Sequence, residues 1–121
     1  MRNLLPIRNL LLLAAAALLF TAGRPQRLGD IYDCYIIVDA EYSCDGDDYY
    51  QVDYEELIST ITRARRSYIA FEPKWQVNLF DDDGIRYFLY VSRTATYLRI
   101  DSNYFRLSRR QARRLRHLLG S

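Results

Sequence analysis

The chain is short of the residues that most often build reactive centres. It holds one His, two Cys, one Met and a single Lys among 121 residues. The lone imidazole, His117, falls in the last turn of a basic helix, where a cation suits the helix dipole, and no second imidazole remains to serve a nucleophile as base. No set of His, Cys, Asp and Glu has metal-ligand spacing, so no catalytic residue, no metal and no cofactor is expected. The 15 Asp and Glu contain no marked pair for hydrolysis, which leaves a small hydrolase as a third-ranked reading. Charge of one sign is also scarce. A net charge of +2 is too small for a dedicated polyanion binder, while a hydrophobic share of 50% is too high for a disordered tail. Internal repeats are absent, and there is no low-complexity segment beyond the N-terminus.

The N-terminus holds the one long apolar run. Arg2 and Arg8 precede Leu10 to Phe20, 11 unbroken apolar residues, and Thr21, Ala22 and Gly23 follow. A positive start, an apolar middle and small residues at the end make a secretory signal over residues 1–23. At about 1.5 Å per residue the run covers roughly 17 Å, short of the roughly 30 Å hydrocarbon core. The region also resembles a lipoprotein signal, but Gly23 or Arg24 stands where the lipidated Cys belongs. The expectation is a secreted or envelope-associated protein, with membrane contact only if the signal stays uncleaved, and one small domain over residues 24–121.

Without Arg2 and Arg8, 15 basic residues face 15 acidic ones, but unevenly. Residues 24–60 hold two Arg and ten Asp or Glu, a balance of −8; residues 84–121 hold nine Arg and only Asp101, a balance of +8. Two readings stand. Either the halves pack together and cancel, or they form separate faces, one of which meets a charged partner such as an anionic cell-wall polymer.

Local patterns predict an α+β domain. Residues 33–42, with Tyr35-Ile36-Ile37-Val38, read as an N-terminal strand, and Ser43 to Tyr50 as a loop. Asp53 and Glu56 form a capping box, Val52 and Leu57 a hydrophobic staple, and Leu57, Ile58, Ile61 and Ala64 an apolar face, so a helix is expected over 53–66. Arg63, Arg65 and Arg66 then suit its C-terminal dipole. An antiparallel meander of about four strands follows: Trp75 to Phe80, the Asp83-Gly84 turn, Ile85 to Val91, Thr96 to Asp101, and Tyr104 to Leu107, with Ser67 to Phe71 as a further strand before it. A C-terminal amphipathic helix over 108–119 is capped by Ser108 and Gln111 and ended by Gly120.

Three features bear on function. Cys34 and Cys44 are expected to pair if exported, although a straight strand between them would hold them too far apart, so the chain would have to bend near Asp39–Tyr42. Asp45, Asp47, Asp53 and Glu56 match positions 1, 3, 9 and 12 of a calcium loop, but Tyr50 occupies the position that needs Gly, and Asp81-Asp82-Asp83 reads as a solvated hairpin tip. Tyrosine and arginine are the feature above background, with 11 Tyr and 16 Arg. Alternation puts Arg86, Phe88 and Tyr90 on one strand face, with Tyr97 and Arg99, then Tyr104 and Arg106, on the next two. Together with Arg109, Arg110, Arg113 and Arg114 of the last helix these form the candidate binding surface. Their alternative role is cross-strand pairing on a solvent-facing sheet.

Within Trp75 to Leu119, the run LFDDDGIRYFLYVSRTATYLRIDSNYFRLSRRQARRLRHLL resembles the C-terminal part of small uncharacterised extracytoplasmic domains of Gram-positive bacteria, often lipoproteins. The resemblance implies architecture and location and carries no catalytic motif. The leading expectation is a non-catalytic extracytoplasmic binding module whose partner is an envelope protein or an anionic cell-wall polymer, not nucleic acid. The alternative is a structural envelope protein without a specific ligand.

Overall fold

The computed structural model describes residues 26–120, so the expected signal over residues 1–23 lies outside the described residues. A four-residue helix, α1 (Leu28–Ile31), and a 3-10 turn at Cys34–Ile36 lead into β1 (Ile37–Cys44) and the short β2 (Tyr50–Gln51). Helix α2 (Tyr54–Ile61) precedes β3 (Arg65–Ser67). The strands β4 (Pro73–Asp81), β5 (Arg86–Ser92), β6 (Tyr97–Ile100) and β7 (Asn103–Arg106) follow, and α3 (Arg109–Leu118) closes the chain. The architecture is α+β. Strands β4 to β7 form the expected meander, and β1, β2 and β3 extend it to a seven-stranded antiparallel sheet in the order β2-β1-β4-β5-β6-β7-β3.

Alternation decides which side chains meet the helices. Trp75 pairs with Val91, Val77 with Leu89, and Leu89 with Ile100, while Leu98 lies between Val91 and Phe105. These side chains are buried with Leu57, Ile58 and Ile61 of α2 and Ala112 and Leu115 of α3. One sheet face therefore packs under both helices, and the residues between them in sequence point outward.

Helix α2 is shorter than the expected 53–66. Its N-terminus follows the local code, with Asp53 Oδ1 accepting from the amides of Glu55 at 3.1 Å and Glu56 at 3.4 Å. The C-terminus does not, because Arg65–Ser67 leave the helix to pair with Arg106, Phe105 and Tyr104 of β7. The amides of Leu28 and Gly29 bond the carbonyls of Ala64 and Thr62 at 2.7 and 3.2 Å and hold the chain in this turn. Consequently no basic residue lies in the last turn of α2, and the expected dipole role of Arg63, Arg65 and Arg66 is lost. The expected strand over Ser67 to Phe71 is likewise displaced to Arg65–Ser67. Residues 68–72 instead cross from β3 back to β4, four strand spacings or about 19 Å, which six steps of extended chain, about 20 Å, just reach. Phe71 on this crossing stacks on Tyr97 at 6.4 Å and meets Tyr104 edge-on at 6.0 Å.

The cysteine pairing expected from sequence is not made. Cys34 lies in the 3-10 turn and Cys44 at the far end of β1; both are free and they are not close. Strand β1 has a register shift between Ile37 and Asp39 but runs on without reversing, so the bend that a bridge needs is missing. Burial, assisted by Asp33, pushes the Cys34 thiol up to about 11.

The expected hairpin forms, but its turn residues are Asp82-Asp83 rather than Asp83-Gly84: the Gly84 amide closes on the Asp81 carbonyl at 3.0 Å and only Gly84, at φ +80°, takes the left-handed region. Asp81 is not part of a solvated tip. It is buried, and its Oδ1 accepts from the amides of Asp83 and Ile85 at 2.9 Å each while its Oδ2 accepts from the Tyr87 hydroxyl at 3.0 Å. Desolvation alone would raise this carboxyl. The hydrogen bonds, led by the Ile85 amide and the Tyr87 hydroxyl, outweigh it and hold the group below its ordinary value.

Two outcomes are expected. A carboxyl depressed in the folded state stabilises it fully above about pH 5, beyond the ordinary carboxyl value, and that contribution fades as pH falls through the lower folded value. Asp81→Asn should therefore lower the urea midpoint at pH 7, with the gap to wild type closing in acid; a constant gap would remove the carboxylate from this role. For the thiols, mass spectrometry of the unfolded, unreduced protein should find two alkylated cysteines, and the native protein at pH 8 should leave Cys34 largely unmodified.

Candidate functional site: an arginine-lined cavity

The strand pairing that cuts α2 short also brings like charges together. Arg106 of β7 pairs directly with Arg65 of β3, and Arg65 forms an isolated antiparallel bridge with Arg27. Three arginines thus stand on adjacent strands, continuing the row that Tyr97 begins on β6. Like charges directly opposite one another oppose pairing. Here the arrangement borders a cavity of about 650 Å³ lined by Arg27, Arg63, Arg65, Arg106, Arg109 and Arg116, with Thr94, Thr96, Ser108 and Gln111 between them. No acidic side chain lines it. Among the described residues one ion pair occurs, Arg114 with Glu56, both about half exposed and so of modest worth.

Helix α3 adds to the positive potential. Ser108 caps it, its hydroxyl accepting from the Gln111 amide at 3.2 Å. The first turn holds Arg109 and Arg110 and no acid, the reverse of what the dipole favours. Each misplaced cation costs up to about 1 kcal/mol when the helix end has no anion. On the opposite wall, Ala95 is fully buried at φ 61° in the turn that presents Thr94 and Thr96. A non-glycine residue in this region is strained, as residues at binding sites often are.

Both N-terminal caps are only half of the box expected from sequence. Glu56 gives its carboxylate to Arg114. The side-chain oxygen of Gln111 is buried without a hydrogen-bond partner. Neither N3 side chain therefore closes its box. A second cavity of about 350 Å³ is lined by Arg63, Arg110, Gln111 and Arg114.

The charge split of the sequence is in part a split in space. The acidic residues Asp39, Glu41, Asp45, Asp47 and Asp48 lie on β1 and the loop after it, toward one edge of the sheet. The arginines of β7 and β3 lie at the other. Between β1 and β3 are five strand spacings, about 24 Å along the sheet, against a screening length of about 8 Å at physiological salt. The charges of these two edges do not cancel, whereas Glu56 at the start of α2 pairs with Arg114 and Asp30 lies beside Arg27.

The expected binding surface divides into three parts. Arg106, Arg109, Arg110 and Arg114 line the two cavities, and Arg113 is exposed outside both. Arg86, Phe88, Tyr90, Tyr97, Arg99 and Tyr104 do share the outward sheet face, but largely serve one another. The Arg86 guanidinium lies 5.1 Å from the Phe88 ring and that of Arg99 lies 4.5 Å from the Tyr90 ring. Arg27, Arg63, Arg65 and Arg116 were not expected at the site. The legible signal for it was Arg109-Arg110 at the wrong end of the helix dipole. The acidic run Asp81-Asp82-Asp83 brings its carboxylates together, but Asp81 is occupied by the turn. Comparison with known proteins gives no match to a protein-family model, a curated protein or a solved structure.

If the arginine row is repulsive in the ligand-free protein, Arg106→Thr should raise stability by about 0.5 kcal/mol. Added salt should raise the urea midpoint of wild type more than that of the variant. A midpoint that falls with salt would contradict this.

Proposed function

We propose that the protein is a non-catalytic extracytoplasmic binding module whose arginine-lined cavity takes a multiply charged anion. The carrying observation is the convergence of six arginines on one cavity with no acidic side chain in its lining. A cavity of this size is in the range of ligand sites, of about 300 to 1,000 Å³, but those are mostly apolar. Guanidinium forks instead suit phosphate, whose oxygens accept paired hydrogen bonds. The first turn of α3 contributes its dipole at the same place. Distance between the acidic and basic edges favours this reading over a structural protein with internally cancelled charge. Export rests on the apolar run and small residues of positions 1–23, and an anionic wall polymer is the partner that fits both location and charge.

Isothermal titration of the chain with inorganic tripolyphosphate tests the reading. Binding at low salt, weakening as salt rises, is expected. Arg65→Ala combined with Arg106→Ala should weaken it at least tenfold, while Arg86→Ala combined with Arg99→Ala on the sheet face should leave it within about twofold. Equal losses from the two pairs would place the site elsewhere.

A further inference from the structure

The arginine cavity does not end at Gln111. Arg63 and Gln111 line both it and the second cavity, where Arg110 and Arg114 add two more guanidinium groups. Eight arginines therefore border two adjoining cavities, more positive charge than a single small anion neutralises. We propose that the two cavities together form a groove for a linear polyol-phosphate chain, with its phosphodiesters on the arginines. Its path displaces Glu56 from Arg114. The proposal rests on the anion reading of the cavity and adds the length and backbone chemistry of the ligand.

Three observations select that chemistry. The lining of both cavities has no aromatic side chain, so nothing stacks the bases of a single-stranded nucleic acid. Its apolar members, Leu107 and Ala112, are buried, so no apolar side chain of the lining stands out to enter a lipid surface. Glu56 already places a carboxylate on Arg114, which lines the second cavity, so this guanidinium takes an anion in the folded chain. A phosphodiester chain carries its charge in the backbone itself and can lie along such a groove, which an acidic peptide, with charge on flexible side chains, does less well.

The test compares a synthetic ten-unit poly(glycerol phosphate) with inorganic tripolyphosphate, titrated into the full chain over a series of salt concentrations. The decamer should bind at least tenfold tighter, with a slope of log K against log salt steeper by about 1.5, as two further charge contacts require. Arg110→Ala combined with Arg114→Ala should remove both differences, at a loss in tripolyphosphate binding several-fold smaller than the loss in decamer binding. Glu56→Gln should tighten the decamer two- to fivefold without affecting tripolyphosphate, and thermal melting shows whether each variant is folded. If tripolyphosphate binds and the decamer binds no tighter, or the Arg110/Arg114 variant binds both as wild type does, the groove proposal falls alone. If tripolyphosphate fails to bind, the anion reading falls with it. Tighter binding of a ten-residue oligothymidylate or of polyglutamate than of the decamer would replace the polyol phosphate with a different ligand class.

Discussion

The antiparallel pairing of β3 with β7 is the contact from which the arginine site follows. It is three residue pairs long, and its two sides pull in opposite directions. On the inward side Arg66 lies over the Phe105 ring at 5.8 Å and donates to Asn103 and Gln26, at 3.1 and 3.2 Å. On the outward side Arg65 faces Arg106 without an acidic partner. The inward contacts and the backbone ladder hold what the outward charges resist. Once the pairing is made, α2 must stop at Ile61 and residues 68–72 must recross the sheet. Arg63 and Arg65 then come to the start of α3.

That arrangement stores electrostatic cost in the ligand-free protein. Arginines oppose one another across strands, two more sit at the positive end of a helix dipole, and a buried alanine holds a left-handed turn nearby. Each cost is small, a few tenths to about 1 kcal/mol, but all act at one cavity, and an anion reverses the sign of the electrostatic ones. The stability of the domain comes from elsewhere, from the packed face of the meander under α2 and α3. A small domain can tolerate a poorly balanced surface when its core is continuous, and here Trp75, Leu89, Leu98, Phe105, Leu57 and Leu115 belong to one buried cluster.

What was legible in the chain was local. Asp53 and Ser108 start their helices because a short oxygen-bearing side chain satisfies the free amides of the first turn, whatever surrounds it. The hairpin between β4 and β5 forms, one residue earlier than expected, because Gly84 takes a positive φ at no steric cost as the chain leaves the turn. The alternation of Trp75, Val77 and Leu79 survives because one face of the strand is buried. What failed depended on distant partners. Arg63 to Arg66 have helical propensity and a favourable place in a helix dipole, yet the ladder to β7 outweighs both. Cys34 and Cys44 suited a bridge by compartment and number, but β1 runs on toward β4 instead of folding back.

By itself, then, the sequence determined the α+β class, the helix starts, the central meander and the separation of acidic from basic residues along the chain. It also marked the Tyr and Arg alternation of the outward sheet face. Only the tertiary structure decided that the acids of β1 stay apart from the arginines of β3 and β7, because strand order is a non-local property and puts β1 and β3 toward opposite edges. It likewise moved the candidate site from the sheet face to the cavity. Arg27, Arg65, Arg106 and Arg109 are scattered over more than 80 positions, and only the fold gives them a common wall.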